Sequence, residues 1–125
     1  MSNLQIGLEN ILESKVEIKD CAITYGSGNL NVYATPAMIS QMEKAAFELA
    51  QEFMEFGDTT VGVAIDIKHL KASPVGVPVN TVARLIEFND KKLSFEVEAY
   101  DINGLIGSGI HKRYIVNEIE FMGNL

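Results

Sequence analysis

The sequence predicts an α+β domain in which a single long helix covers the apolar face of an antiparallel sheet. Two observations predict it. Residues Ala37 to Met54 run without an internal Gly or Pro and place their apolar side chains at helical spacing. Beyond that helix, four apolar or alternating runs follow one another across short Gly-, Pro-, Asn- and Asp-bearing connections, as antiparallel neighbours do.

The chain of 125 residues suits one domain, 1–125, with a substantial core. With 47% hydrophobic residues and no low-complexity run, it has the composition of a folded protein. A net charge of −7 argues against a broad nucleic-acid surface, which needs clustered Lys and Arg to neutralise phosphates. The single cysteine, Cys21, excludes an internal disulfide framework and fits a reducing compartment. The start, Met1 to Ile6, lacks the basic and apolar segments of a signal peptide, and no run reaches membrane-spanning length. A cytoplasmic protein without membrane partners is expected.

Residues 4 to 12 read as a short amphipathic helix or an arm. Lys15 to Cys21 alternates and reads as the first strand. The next segment holds Gly26-Ser27-Gly28-Asn29, a plain turn in preference to a phosphate cradle, because P-loop spacing is missing. Thr35-Pro36 suits a helix entrance, with Thr35 as N-cap and Pro36 in the first turn. Gly57 suits a left-handed cap after the helix.

Thr60 to Lys71 reads as a long strand whose Val61, Val63, Ile65 and Ile67 share one face with His69 at its end. Val77 to Phe88, Lys91 to Asp101 and Leu105 to Val116 are the remaining strands, with Asn103-Gly104 marking a hairpin. Leu93, Phe95, Val97 and Ala99 point inward on the penultimate strand. On the last one, Gly107 and Gly109 remove side chains and imply close approach of a backbone or ligand.

Glu43 is the residue out of place. Around the helix at about 100° per residue it falls among Ile39, Ala46, Phe47 and Ala50, away from the polar third formed by Ser40, Gln41, Lys44, Glu48 and Gln51. Burying a carboxylate costs free energy unless a donor or cation meets it, so Glu43 is either a functional group or a flank residue that snorkels to water. His69 alone is weak evidence of chemistry. His111, on the glycine-bearing face of the last strand, is placed outside the site.

Several separated motifs then fall into one register. Gly26-Ser27-Gly28-Asn29-Leu30, Val32 to Met38, Met42-Glu43-Lys44-Ala45-Ala46, Thr60-Val61-Gly62-Val63 and Asp66 to Gly76 resemble the fluoroacetyl-CoA thioesterase family of the hotdog superfamily. The resemblance implies a hotdog fold, with a long central helix wrapped by a five-stranded antiparallel sheet. It implies hydrolysis of an acyl-CoA thioester by a catalytic set that maps onto Thr35, Glu43 and His69. Gly62 and the adjacent Val63 fall near the substrate, and no metal or separate cofactor is required, CoA being part of the substrate. Arg113, with Lys68, Lys71 and Lys112, is a candidate cation for CoA. The family's aromatic lid has no counterpart in Gly26 to Asn29, which points to a general short-chain acyl-CoA substrate.

Glu43 would be general base or nucleophile, with Thr35 and His69 assisting. Eight helical residues separate Thr35 from Glu43 by about 12 Å along the axis, too far for direct contact. A homodimer, or a tetramer, with the site at the subunit interface resolves this. The alternative from another class is a non-catalytic acyl-CoA-binding module, acting as sensor or carrier.

Overall fold

The computed structural model describes residues 3–125, so that Met1 and Ser2 of the N-terminal stretch lie outside it. The elements are β1 (Glu9–Lys15), a 3-10 turn (Ile18–Asp20), α1 (Ala22–Tyr25), α2 (Thr35–Gln51), β2 (Asp58–His69), β3 (Pro78–Asn89), β4 (Lys92–Asp101), β5 (Gly104–Asn117) and α3 (Glu118–Gly123). All pairings are antiparallel in one five-stranded sheet of order β1-β3-β4-β5-β2. The strands on either side of the two-residue turns Asp90–Lys91 and Ile102–Asn103 are hairpin neighbours. Strands β1 and β2 are the sheet's edges.

Helix α2 lies across the sheet and fills its concave face. Met38, Met42, Ala45, Ala46, Leu49 and Ala50 are buried against Val79, Ala83 and Leu85 of β3 and Leu93, Phe95, Val97 and Ala99 of β4. The four inward residues expected on β4 are all fully buried. Small residues at 45, 46 and 50 let the helix sit close to the strands, and Gly107 supplies the matching space on β5, where a Cβ would lie 2.5 Å from Met38 Sδ. No described helix is long and apolar enough to cross a membrane.

The first strand is not where alternation placed it. It runs over Glu9–Lys15, overlapping the stretch 4–12 expected to be a helix or arm and ending where the predicted strand begins, whereas Ile18–Asp20 is a 3-10 turn. The turn forms because the Glu17 amide donates to Asp20 Oδ2 at 3.0 Å, a local bond that competes with strand pairing. Strand β1 escaped detection because its half-buried positions, Asn10, Leu12 and Ser14, include only one apolar side chain.

Helix α2 ends three residues short of Met54, at Gln51, and its N-cap is Ala34 rather than Thr35. The first helical bond runs from the Met38 amide to the Ala34 carbonyl, so Thr35 is already inside the helix and its hydroxyl makes no cap bond. Gly57 does take a left-handed φ of 91°, but in the turn before β2 and not at the helix end.

The single stripe expected along β2 is also interrupted. A bulge between Gly62 and Ala64 leaves Val63 without a residue opposite on β5. Thr60 faces Ile115, Gly62 faces Arg113, Ile65 faces His111, Ile67 faces Gly109 and His69 faces Gly107. Directly opposed residues share a sheet face, so the bulge places Thr60 and Gly62 on the same side as Ile65, Ile67 and His69, while Val63 is 60% exposed.

Candidate active site

The polar residues singled out in the sequence gather into two clusters at opposite ends of β2. The first joins helix and strand. Thr35 Oγ1, in the first turn of α2, lies 2.8 Å from Nδ1 of His69, the last residue of β2. Burial holds the His69 imidazole below its ordinary pKa, which favours the neutral ring. If Thr35 donates to Nδ1, the ring carries its hydrogen on Nε2; if Nδ1–H donates to Thr35, the hydroxyl hydrogen is free. Either arrangement leaves the pair with one donor to offer.

Tyr33 packs edge-on against His69, with ring centroids 6.3 Å apart. Among the described residues, its hydroxyl and His69 Nε2 are both buried without a hydrogen-bond partner. Burial, with Asp20 and Tyr25 nearby, raises the phenol's pKa, so it stays protonated. Thr35, His69 and Tyr33 line a cavity of about 340 Å³ that is also bounded by Ala22, Ser27 and Leu70.

The second cluster surrounds Glu43, on the next turns of α2. A cavity of about 270 Å³ is lined by Glu43, Gly62, Val63, Ala64, Ile65 and His111. A Cβ on Gly62 would stand 2.9 Å from Glu43 Oε2, 3.3 Å from His111 Cε1 and 3.4 Å from Arg113 Nη1. Glycine is therefore what allows carboxylate, imidazole and guanidinium to converge on this point of the strand.

Arg113 is only 7% exposed. Its Nε donates to Thr60 Oγ1 at 2.8 Å and its Nη2 to the Thr60 carbonyl at 3.0 Å, while Phe47, one turn beyond Glu43 on α2, lies 5.7 Å beneath the guanidinium. Burial lowers its pKa, opposed by the attraction of Glu43. Arg113 is thus buried behind the cavity, beside Gly62, and is not a surface cation.

His111, which the sequence places outside the site, is 1% exposed and borders the Glu43 cavity. The available signal was its place two residues before Arg113, on the same face of a strand paired with the one carrying Gly62. Glu43 and His69 are not brought together within the chain. Gly62 and His69 are seven residues apart on one strand, which spans about 20 Å.

The profile of the FlK fluoroacetyl-CoA-specific thioesterase family matches residues 16–119. A fluoroacetyl-CoA thioesterase from Streptantibioticus cattleyicolor is 34% identical over 90 residues, or 72% of this chain; the match spans 65% of that relative's length. The solved structure of the fluoroacetyl-CoA thioesterase FlK superposes with a TM-score of 0.91 at 26% identity, covering 98% of this chain and 95% of that one. Variants of FlK have been solved with acetyl-CoA and with fluoroacetate and CoA. A thioesterase superfamily member from Thermus thermophilus superposes with a TM-score of 0.92 at 27% identity, covering 99% of this chain and 92% of that one. With the helix, the sheet order and most of the chain in agreement, this protein belongs to the fluoroacetyl-CoA-specific thioesterase family, a family of thioester hydrolases on the hotdog fold.

Proposed function

We propose that the protein is an acyl-CoA thioesterase that hydrolyses a short-chain or small acyl-CoA in a site shared between two copies of the chain. The observation that carries this reading is the separation of the Thr35–His69 pair from the Glu43–Gly62 cluster along a strand whose outer edge is unpaired. Two β2 edges that pair antiparallel about a two-fold axis at Asp66, with Val63 bulged out of the ladder, set Gly62 of one copy opposite His69 of the other. Val63, 60% exposed, and Ile65, 39% exposed, lie along the stretch that this pairing covers.

Each shared site then contains a carboxylate, a hydroxyl–imidazole pair and the main chain of a bulge. Glu43 serves as general base towards water, or as nucleophile on the thioester carbonyl; both roles need its carboxylate beside that carbon. As the carbonyl oxygen gains charge, amides at Gly62 and Val63 and the donor of the Thr35–His69 pair stabilise it. Val63 is suited to this because the bulge releases it from the ladder with β5. Collapse of the tetrahedral intermediate expels CoA as a thiolate, a good leaving group. Arg113 borders the end of the pocket that receives the acyl group. Complexes of FlK variants with acetyl-CoA and with fluoroacetate and CoA support a ligand of this class.

Thiol release from a panel of acyl-CoAs, from acetyl through medium-chain, aryl and fluoroacetyl, tests the reading. Turnover is expected on a small acyl-CoA, with loss of about 10³-fold in Glu43→Ala. Acyl-CoA binding without turnover by the unmodified protein would instead identify a binding module.

A further inference from the structure

The His111 ring has both of its nitrogens committed, and the two bonds define one tautomer. Nδ1 lies 2.8 Å from the Ala64 carbonyl oxygen, which can only accept. Nε2 lies 3.1 Å from Arg113 Nη1, which can only donate. His111 is therefore the neutral Nδ1–H form, and burial together with the neighbouring Arg113 charge keeps its pKa below the ordinary histidine value. Phe95 holds the ring plane by stacking at 6.4 Å and 29°.

Those two bonds end on different parts of the pocket. Ala64 is the residue at which the β2 bulge closes, immediately after the free Val63. Arg113 is held on its other side by Thr60, so the His111 bond completes a three-point fixation of the guanidinium. We propose that His111 is a positioning residue: its Nδ1–H fixes the main chain of the Gly62–Ala64 bulge, and its Nε2 fixes the Arg113 guanidinium that borders the acyl group. One neutral ring thereby sets the amides used in the reaction and the cation used in binding. The inference rests on the thioesterase reading for its kinetic consequence and on the hydrogen-bond geometry for its structural one.

Two amide substitutions separate the bonds. In His111→Asn the side-chain amide reaches Ala64 as Nδ1 does but leaves Arg113 without its acceptor. In His111→Gln the longer side chain offers an acceptor to Arg113 and gives up the bond to Ala64. The expected result is a KM raised about tenfold with kcat nearly unchanged in His111→Asn, and a kcat lowered about tenfold with a smaller change in KM in His111→Gln. In an Arg113→Met background, His111→Asn should change KM no further. Equal losses in both parameters that follow the folded fraction in thermal melts would overturn the proposal, as would full additivity with Arg113→Met.

Nitrogen-15 NMR of the full chain supplies a readout that does not depend on turnover. The His111 ring should show the Nδ1–H tautomer, and the Gly62 and Val63 amide signals should move in His111→Gln and stay in place in His111→Asn. An Nε2–H tautomer, or amide signals that move alike in both variants, would overturn the positioning role. If the NMR pattern holds and no thioester is cleaved, the thioesterase reading fails while the positioning geometry stands.

Discussion

Thr35 Oγ1 and His69 Nδ1 lie 2.8 Å apart, joining the first turn of α2 to the end of β2. Because Ala34 is the N-cap, the Thr35 hydroxyl is not used to start the helix. Loss of a capping hydroxyl costs about 1 kcal/mol, and Thr35→Ala should escape most of that cost. The expected outcome is thioester turnover lowered by about 10²-fold with unfolding free energy within about 0.5 kcal/mol of the parent. Urea denaturation and steady-state thiol release on the same preparation check both halves.

Gly62→Ala should leave the fold intact and disable the pocket. Its Cβ would meet the flexible end of Glu43 at 2.9 Å, so the carboxylate swings aside at little cost to packing. A displacement of about 1 Å at a reacting group costs on the order of 10²-fold in rate. A melting temperature close to the parent's, with kcat/KM reduced on that order, is the expected pair of results.

The two glycines of β5 should behave differently from each other. At Gly109 a Cβ would lie 2.1 Å from the Asp66 carbonyl oxygen, where only backbone movement makes room. At Gly107 the obstacle is chiefly the end of Met38, which can change rotamer. Gly109→Ala is expected to destabilise by about 3 kcal/mol or more and Gly107→Ala by about 1–2 kcal/mol, measured by chemical denaturation. Similar losses at both positions would contradict this ordering.

Both histidines have pKa values held below the ordinary 6.5, principally by burial. The unfolded chain then binds protons that the native chain resists, so stability is at its full value above about pH 6.5 and falls as pH drops through the native pKa values. Activity should decline over the same acid range as the neutral His69 is lost. Replacement of His69 by Gln should reduce the acid-side loss of stability, which denaturation midpoints at pH 8 and pH 5.5 would reveal.

Much of the fold was legible because α2, β4 and the hairpins are specified locally, by apolar periodicity and turn chemistry. The first strand was not, because β1 is an edge strand whose inward positions are mostly polar, while the alternation from Lys15 to Cys21 is undone by the Glu17–Asp20 turn. Glu43 stood out as a carboxylate on an apolar helix face, and Thr35 and His69 were singled out at the helix entrance and the strand end that the structure brings together. Their grouping was harder to read. A bulge between Gly62 and Ala64 reassigns the faces of β2, and only that reassignment puts Gly62 beneath Glu43 and Ile65 opposite His111. A period-2 reading assumes an unbroken ladder, so it missed both the bulge and His111.

The sharing of one site by two copies is tested most directly by mixing defects. Glu43→Ala and Thr35→Ala chains, each expected to keep about a hundredth of the parent activity or less alone, are unfolded together in equal amounts and refolded. If the carboxylate and the hydroxyl–imidazole pair come from different copies, half of the dimers are mixed and each mixed dimer carries one intact site of two, so the mixture should recover about a quarter of the parent activity. A mixture that forms dimers yet stays as inactive as its components would show that Glu43 and Thr35 work within a single chain, contradicting the shared site.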